Sequence, residues 1–207
     1  MELYVSIPLC VILGYLIGNI QPGIILSQCM GKGDIREKGS HSTGTTNVYR
    51  MLGKKPAIFV FIVDCCKGVL AAWLGSLLAG NIGAMAGGMA AVTGHIWPVF
   101  FQFKGGKGVA TSLGVLSFVN PVYSCIYLFV LIPIALKTRM ISLGNICGAL
   151  CLIVVNSTMS VAQREWMSLG FVVYVFGLVL FAHRSNIRRL LHGKEKRVDI
   201  FSKQNPE

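Results

Sequence analysis

The sequence is short of charge. Only 13% of its 207 residues are Asp, Glu, Lys or Arg, about half the roughly 25% of a soluble globular chain. The shortfall is uneven. Charged residues are missing altogether from 3–31, 68–103, 108–136, 140–163 and 166–182. A bilayer core takes roughly 20 apolar residues per helix. These stretches are too long and too apolar for the interior of a soluble domain. With 54% apolar residues and a mean hydropathy of +0.65, the chain reads as an all-α, polytopic integral membrane protein forming a single domain, 1–207.

Other absences narrow the reading. The amino-terminal apolar run has no basic n-region, since its first charge is Glu2, and it passes into Gly31 and Lys32 without a clear cleavage site. It reads as a retained first span, not a signal peptide. The seven cysteines include no CxxC pair and no Cys/His ligand spacing, and Cys10, Cys125, Cys147 and Cys151 lie inside apolar runs. Packing cysteines are expected, with no metal site and no cofactor. There is no GxxxxGKS/T phosphate loop, no GxSxG nucleophile elbow, and no Asp five residues after His41 or His95.

Acidic residues are the scarcest charges, eight against 19 basic ones, for a net charge of +11. In a membrane protein this surplus reports the positive-inside bias, and nucleic-acid binding is not expected. Basic residues cluster in 32–55, 104–107, 137–139 and after 183; together these groups hold 17 of the 19. Placing all four groups in the cytoplasm requires one span before the first group and two between each successive pair. The turns then fall near Gly80-Asn81, at Asn120-Pro121 and in Ser160–Glu165. The expected topology is seven transmembrane elements with the N-terminus outside and the C-terminus cytoplasmic. The element over 108–119 is short, because twelve helical residues rise only about 18 Å against a core of about 30 Å. Residues 196–207 are expected to form a disordered cytoplasmic tail.

Three polar segments interrupt the apolar pattern on that one face. Residues 34–53 crowd Gly, Ser, Thr and Asn around His41 and Arg50, which suits anion binding. Residues 102–111 read QFKGGKGVAT. Glycines there let the backbone approach a phosphate, and the helix that follows offers free N–H groups. Residues 183–195 read HRSNIRRLLHGKE, with His183 and Asn186 three apart on one helical face. Within the spans, Asp64 and Lys67 read as a structural pair and His95 as a pocket residue or a backbone-bonded one. Gly83 and Gly87 form a GxxxG helix-packing pair.

These segments resemble the bacterial acyl-phosphate:glycerol-3-phosphate acyltransferases. That family's first motif is close to GSGNxGATNxxR, and this chain has GSHSTGTTNVYR from Gly39 to Arg50. The second is close to GHxFPVFxxFKGGKGVAT, against GHIWPVFFQFKGGKGVAT from Gly94 to Thr111. The third, HRxNIxRLxxGxE, is matched from His183 to Glu195. The first motif departs at His41, Ser42, Thr43 and Thr45.

The resemblance implies transfer of an acyl group from acyl phosphate to the 1-hydroxyl of glycerol 3-phosphate, giving lysophosphatidic acid and phosphate. It places the enzyme in the bacterial inner membrane with its site facing the cytoplasm. An acyl phosphate is already activated, so positioning and charge stabilisation suffice, and direct attack without an acyl-enzyme is expected. The implied catalytic residues are His183, Asn186 and Lys104. The implied substrate-binding residues are Ser40, Asn47, Arg50, Gly105, Gly106, Lys107, Gly108, Thr111 and His95. The proton acceptor stays open among His183, His95 and a substrate phosphate. The alternatives are a divergent paralogue with changed substrate or low activity, and a transporter of a phosphorylated metabolite.

Overall fold

The computed structural model describes residues 3–198. Every regular element among them is helical: α1 (Leu3–Gly18), α2 (Pro22–Cys29), α3 (Thr45–Leu52), α4 (Lys54–Ile96), α5 (Val109–Val119), α6 (Pro121–Thr138), α7 (Ile141–Gln163), α8 (Trp166–Ala182) and α9 (Arg184–Leu191). Among the described residues, four helical stretches are long and apolar enough to cross a membrane: Leu3–Cys29, Lys54–Phe101, Pro121–Thr138 and Ile141–Gln163. The α8–α9 pair, bent by 59°, adds a fifth if it is taken as one span. Large apolar side chains such as Leu77, Val122, Phe129 and Val154 are exposed on the outside, as a lipid-facing surface requires.

The long helix α4 folds back on itself. Ala79 and Gly80 leave helical geometry, Gly80 with φ +59°, a conformation that glycine adopts without a Cβ penalty. The break lies one residue before the expected Gly80-Asn81 turn. On either side, Gly75 abuts the backbone of Gly83, and Gly87 abuts the Ala71 carbonyl. Both pairs are equidistant from Ala79, so the arms over 54–78 and 81–96 lie antiparallel. On the second arm, Gly87 and Ala91 also meet Gly14 and Gly18 of α1, backbone against backbone. The first arm meets α5 in the same way, through Gly68 and Gly114. Small residues at each seam allow this close approach, which carries helix association in lipid.

A larger apolar core joins α5 to α8. It includes Val92, Val115, Leu116, Tyr127, Leu152, Val175 and Phe176. Tyr127 stacks at a tilt on Phe176 and donates to Asn145 Oδ1 at 3.0 Å, so its buried hydroxyl is satisfied. Helix α5 has only 11 residues and ends at Asn120, which caps α6 through Tyr123 N–H. Helix α7 ends at Arg164, in left-handed geometry, inside the expected Ser160–Glu165 turn.

The expected first span is present, over Leu3–Cys29, but its helix is not continuous. It breaks at Asn19–Gln21, between α1 and α2. Broken helices inside a membrane need partners for the freed backbone groups. Here Lys67 Nζ donates to the Ile20 carbonyl at 2.6 Å, and Gln21 Nε2 donates to the His95 carbonyl at 3.1 Å. The tail expected to be disordered from residue 196 lies mostly outside the described residues. Of its first three residues, Val198 is buried and donates its N–H to the Arg139 carbonyl at 2.7 Å.

Candidate active site

A cavity of about 390 Å³ opens where the three polar segments converge. One end is polar, lined by Ser40, Thr46, Arg50, Lys107, His183, Asn186 and Glu195; the other is apolar, lined by Phe61, Leu113, Leu128, Leu131 and Ile132. The loop before α5, the helix α3 and the α8–α9 bend supply the polar end. The arms of α4 and the faces of α5, α6 and α7 supply the rest.

The polar end is built around an ordered chain of hydrogen bonds. Lys107 Nζ donates to Asn186 Oδ1 at 2.5 Å, and Asn186 Nδ2 donates to Glu195 Oε1 at 2.7 Å. Ser142 Oγ donates to the same carboxylate oxygen at 2.7 Å, while Arg189 Nε donates to Oε2 at 2.8 Å. Burial pushes the Glu195 carboxyl up, but the bonds from Ser142, Asn186 and Arg189 outweigh it and hold the group below its ordinary value. Burial also pulls Lys107 down to about 8; Glu195 opposes that shift, and Arg189 and Arg50 add to it. Arg50 is lowered by burial as well but keeps its charge.

His183 is buried, and its Nδ1 lies 2.8 Å from the Val179 carbonyl. A carbonyl only accepts, so Nδ1 carries the proton and Nε2 bears the lone pair of the neutral ring. The bend between α8 and α9 falls at His183, which sets the imidazole where the bundle opens.

His95 is held differently. Its Nδ1 lies 2.7 Å from Lys67 Nζ and 3.3 Å from Asp64 Oδ1, and Lys67 Nζ lies 2.7 Å from the same Asp64 oxygen. The expected Asp64–Lys67 pair is thus a buried triad that spans both arms of α4. His95 also shapes the glycine-lysine loop. Its carbonyl accepts from Gly106 N–H at 3.1 Å, and the Ile96 carbonyl accepts from Gly105 N–H at 3.2 Å. A Cβ on Gly106 would sit 2.1 Å from His95 Nε2.

Several expected ligands lie away from the cavity or are engaged by neighbours. Lys104 is exposed and does not line the cavity; its carbonyl accepts from Arg36. The N–H groups of Gly105 and Gly106 are spent on carbonyls, so these glycines serve close packing. Thr111 is fully buried, with its carbonyl against Gly68, and does not line the cavity. Asn47 lines the cavity, but its amide is used up. It donates to the carbonyls of Ile35, Lys38 and Ser42 and accepts from Ser40 N–H. Asn47 ties the first polar segment into shape. Gly108, with φ +80°, opens α5 toward the cavity, and the first-turn N–H groups there have no intrahelical acceptor.

Of the departures in the first segment, His41 and Thr43 find partners nearby, whereas the buried Thr45 hydroxyl has none among the described residues. His41 takes a left-handed conformation, φ +56°, with Nδ1 2.9 Å from the Arg36 carbonyl. Thr43 donates to Gln21 Oε1 at 2.7 Å, and through Gln21 reaches the His95 carbonyl. Sequence reasoning missed Glu195 and Ser142. Glu195 closes the third segment; Ser142 sits in an apolar helix with no motif around it.

A helical membrane protein with a cavity that is cationic at one end and apolar at the other is built to hold an amphiphile with an anionic head. A model of the family described as glycerol-3-phosphate acyltransferase matches residues 8–193, and the chain belongs to that family. It is 43% identical over 190 residues to the glycerol-3-phosphate acyltransferase of Thermoanaerobacter pseudethanolicus, covering 92% of this chain and 94% of that one. It is 40% identical over 185 residues to that of Finegoldia magna, covering 89% and 92%. The crystal structure of PlsY (YgiH), an integral membrane glycerol 3-phosphate acyltransferase in its glycerol 3-phosphate form, superposes with a TM-score of 0.85. That protein is 37% identical, with 94% of this chain and 96% of that chain covered. Its lysophosphatidic acid form matches with a TM-score of 0.82.

Proposed function

We propose that the chain transfers an acyl group from a long-chain acyl phosphate to the 1-hydroxyl of glycerol 3-phosphate, releasing lysophosphatidic acid and inorganic phosphate. The cavity carries this reading: Lys107, Arg50 and the start of α5 converge at one end, and an apolar slot continues from them. The solved relative crystallised with glycerol 3-phosphate and with lysophosphatidic acid supports the acceptor and the product.

In this scheme the acceptor hydroxyl attacks the acyl carbon directly. The bond from that carbon to the phosphate oxygen breaks, and phosphate leaves. Lys107 and Arg50 take the phosphoryl charge, and Asn186 holds Lys107 in place. His183 Nε2 accepts the hydroxyl proton. His95 is set aside as the base because its Nδ1 is engaged by Lys67 and Asp64. An acyl phosphate is already activated, so the scheme needs no acyl-enzyme, and among the described residues no cysteine lines the cavity. Lys104, exposed, has no part in this scheme.

The topology belongs to the same proposal. Seven elements cross or enter the bilayer, counting the arms of α4 separately and α5 as a short one. The N-terminus is outside, and the site faces the cytoplasm of a bacterial inner membrane. The three polar segments and the basic α6–α7 turn gather at one end of the bundle, which supports that orientation.

The decisive experiment measures phosphate release from palmitoyl phosphate by the purified protein, with and without glycerol 3-phosphate. Acceptor-dependent release with formation of lysophosphatidic acid is expected. Absence of acceptor dependence defeats the assignment, and a trapped covalent acyl-enzyme defeats direct attack.

A further inference from the structure

A second cavity, of about 320 Å³, lies at the turn between α6 and α7. It is lined by Lys137, Thr138, Arg139, Met140, Leu143 and Arg197. Three of these six are cations, and all three are exposed. Among the described residues, none of the three forms an ion pair with a carboxylate. The two helices that meet here are both long and apolar enough to cross the membrane, so their turn sits at the bilayer surface. Positive charge alone is ordinary at such a turn. A concave site lined by three cations beside Met140 and Leu143 is not.

The chain that closes this cavity also closes the active site. Arg197 belongs to the segment after α9, which is fastened at Val198 to the Arg139 carbonyl. Two residues before Arg197, Glu195 accepts from Asn186 and from Ser142, in the first turn of α7. An anion bridging Arg197 to Lys137 and Arg139 would therefore clamp the segment that holds Glu195 beneath Asn186 and Lys107.

We infer that this cavity binds the phosphate headgroup of an anionic phospholipid of the surrounding leaflet, and that the bound lipid fastens the 194–198 segment against the α6–α7 turn. The occupant is a lipid because the cavity lies at the turn between two helices long and apolar enough to span the membrane and because Met140 and Leu143 offer apolar contact beside the charges. A free phosphate shares the headgroup chemistry but would use neither.

The test uses the full chain in nanodiscs and does not depend on its reaction. Native mass spectrometry reads retention of phosphatidylglycerol over phosphatidylcholine, and hydrogen exchange reads protection of 194–198. Phosphatidylglycerol is expected to be retained preferentially and to slow exchange in that segment. Each cation removed, as Lys137→Gln, Arg139→Asn or Arg197→Gln, should cut the preference roughly five-fold, following the worth of a basic residue at an anionic surface. Arg139 is left-handed, with φ +57°; Arg139→Asn keeps a residue that tolerates this conformation, and Arg197→Gln lies outside any helix, so both should fold. An unchanged lipid preference in the Arg197→Gln and Arg139→Asn proteins overturns the site. So does equal protection by inorganic phosphate in phosphatidylcholine discs, which would assign the cavity to a soluble anion. Loss of acyl transfer alone would bear only on the reaction proposed above.

Discussion

Lys107 and Asn186 meet at 2.5 Å across 79 residues of sequence, and Asn186 passes the contact on to Glu195. In the proposed scheme Asn186 positions the ammonium. Asn186→Ala would free Lys107 to swing away from the cavity and leave the buried Glu195 short of one donor. Losing a charge-stabilising group of this kind costs about 3 kcal/mol, or about 10²-fold in kcat. Assay of acyl transfer should show that loss with the melting temperature lowered by only a few degrees. Full activity would remove Asn186 from the site.

The Lys107 ammonium gives the site a pH signature. Its pKa is drawn down to about 8, burial being the main cause. The cation is present below that pH and is lost as pH rises through it. On the free enzyme, kcat/KM for glycerol 3-phosphate should therefore fall above about pH 8, approaching ten-fold per unit. Lys107→Arg should abolish this limb, because a guanidinium stays charged throughout. A profile flat to pH 9.5 in the unsubstituted protein would contradict the assignment.

The two lysines of the glycine-lysine loop should separate cleanly. Lys104 is exposed, so Lys104→Ala should retain activity within about three-fold, as surface positions usually do. Gly106 presses on His95, and Gly106→Ala would put a Cβ 2.1 Å from Nε2. The loop must move, and a 1 Å displacement of a positioned group can cost about 10²-fold. Parallel kinetics of the two variants check this. The opposite order would restore Lys104 to the phosphate role.

Much of this arrangement was legible in the sequence. Absent charge marked the apolar runs, and Gly80, Asn120 and Arg164 fall at or beside the expected turns because glycine, a capping Asn and a polar stretch punctuate them. The three polar segments do converge. Two features were hidden for a common reason. The break at Asn19–Gln21 is sustained by Lys67 and His95, and the glycine N–H groups of the loop are taken by carbonyls near His95. Both depend on partners that only the folded hairpin brings near. Spacing within a motif reports which backbone is close to something; it does not report whether that something is a phosphate or another helix. Glu195 and Ser142 escaped for a related reason, since their value lies in a bond to each other across 53 residues.

The Asp64–Lys67–His95 triad should matter to stability before it matters to chemistry. Lys67 is bonded at once to Asp64, to His95 and to the Ile20 carbonyl that the α1–α2 break exposes. Lys67→Met would leave a carboxylate and a carbonyl buried with no cation. Breaking a buried pair from one side costs about 3–5 kcal/mol, whereas replacing both partners is often neutral. The single variant should therefore unfold well below the unsubstituted protein in a thermal melt in detergent. Adding Asp64→Asn to it should recover part of the loss, because the stranded charge is removed. The recovery should be incomplete, since the Ile20 carbonyl still lacks its donor. If the double variant melts no higher than Lys67→Met alone, the stranded carboxylate is not the source of the loss, and Lys67 acts through the broken helix instead.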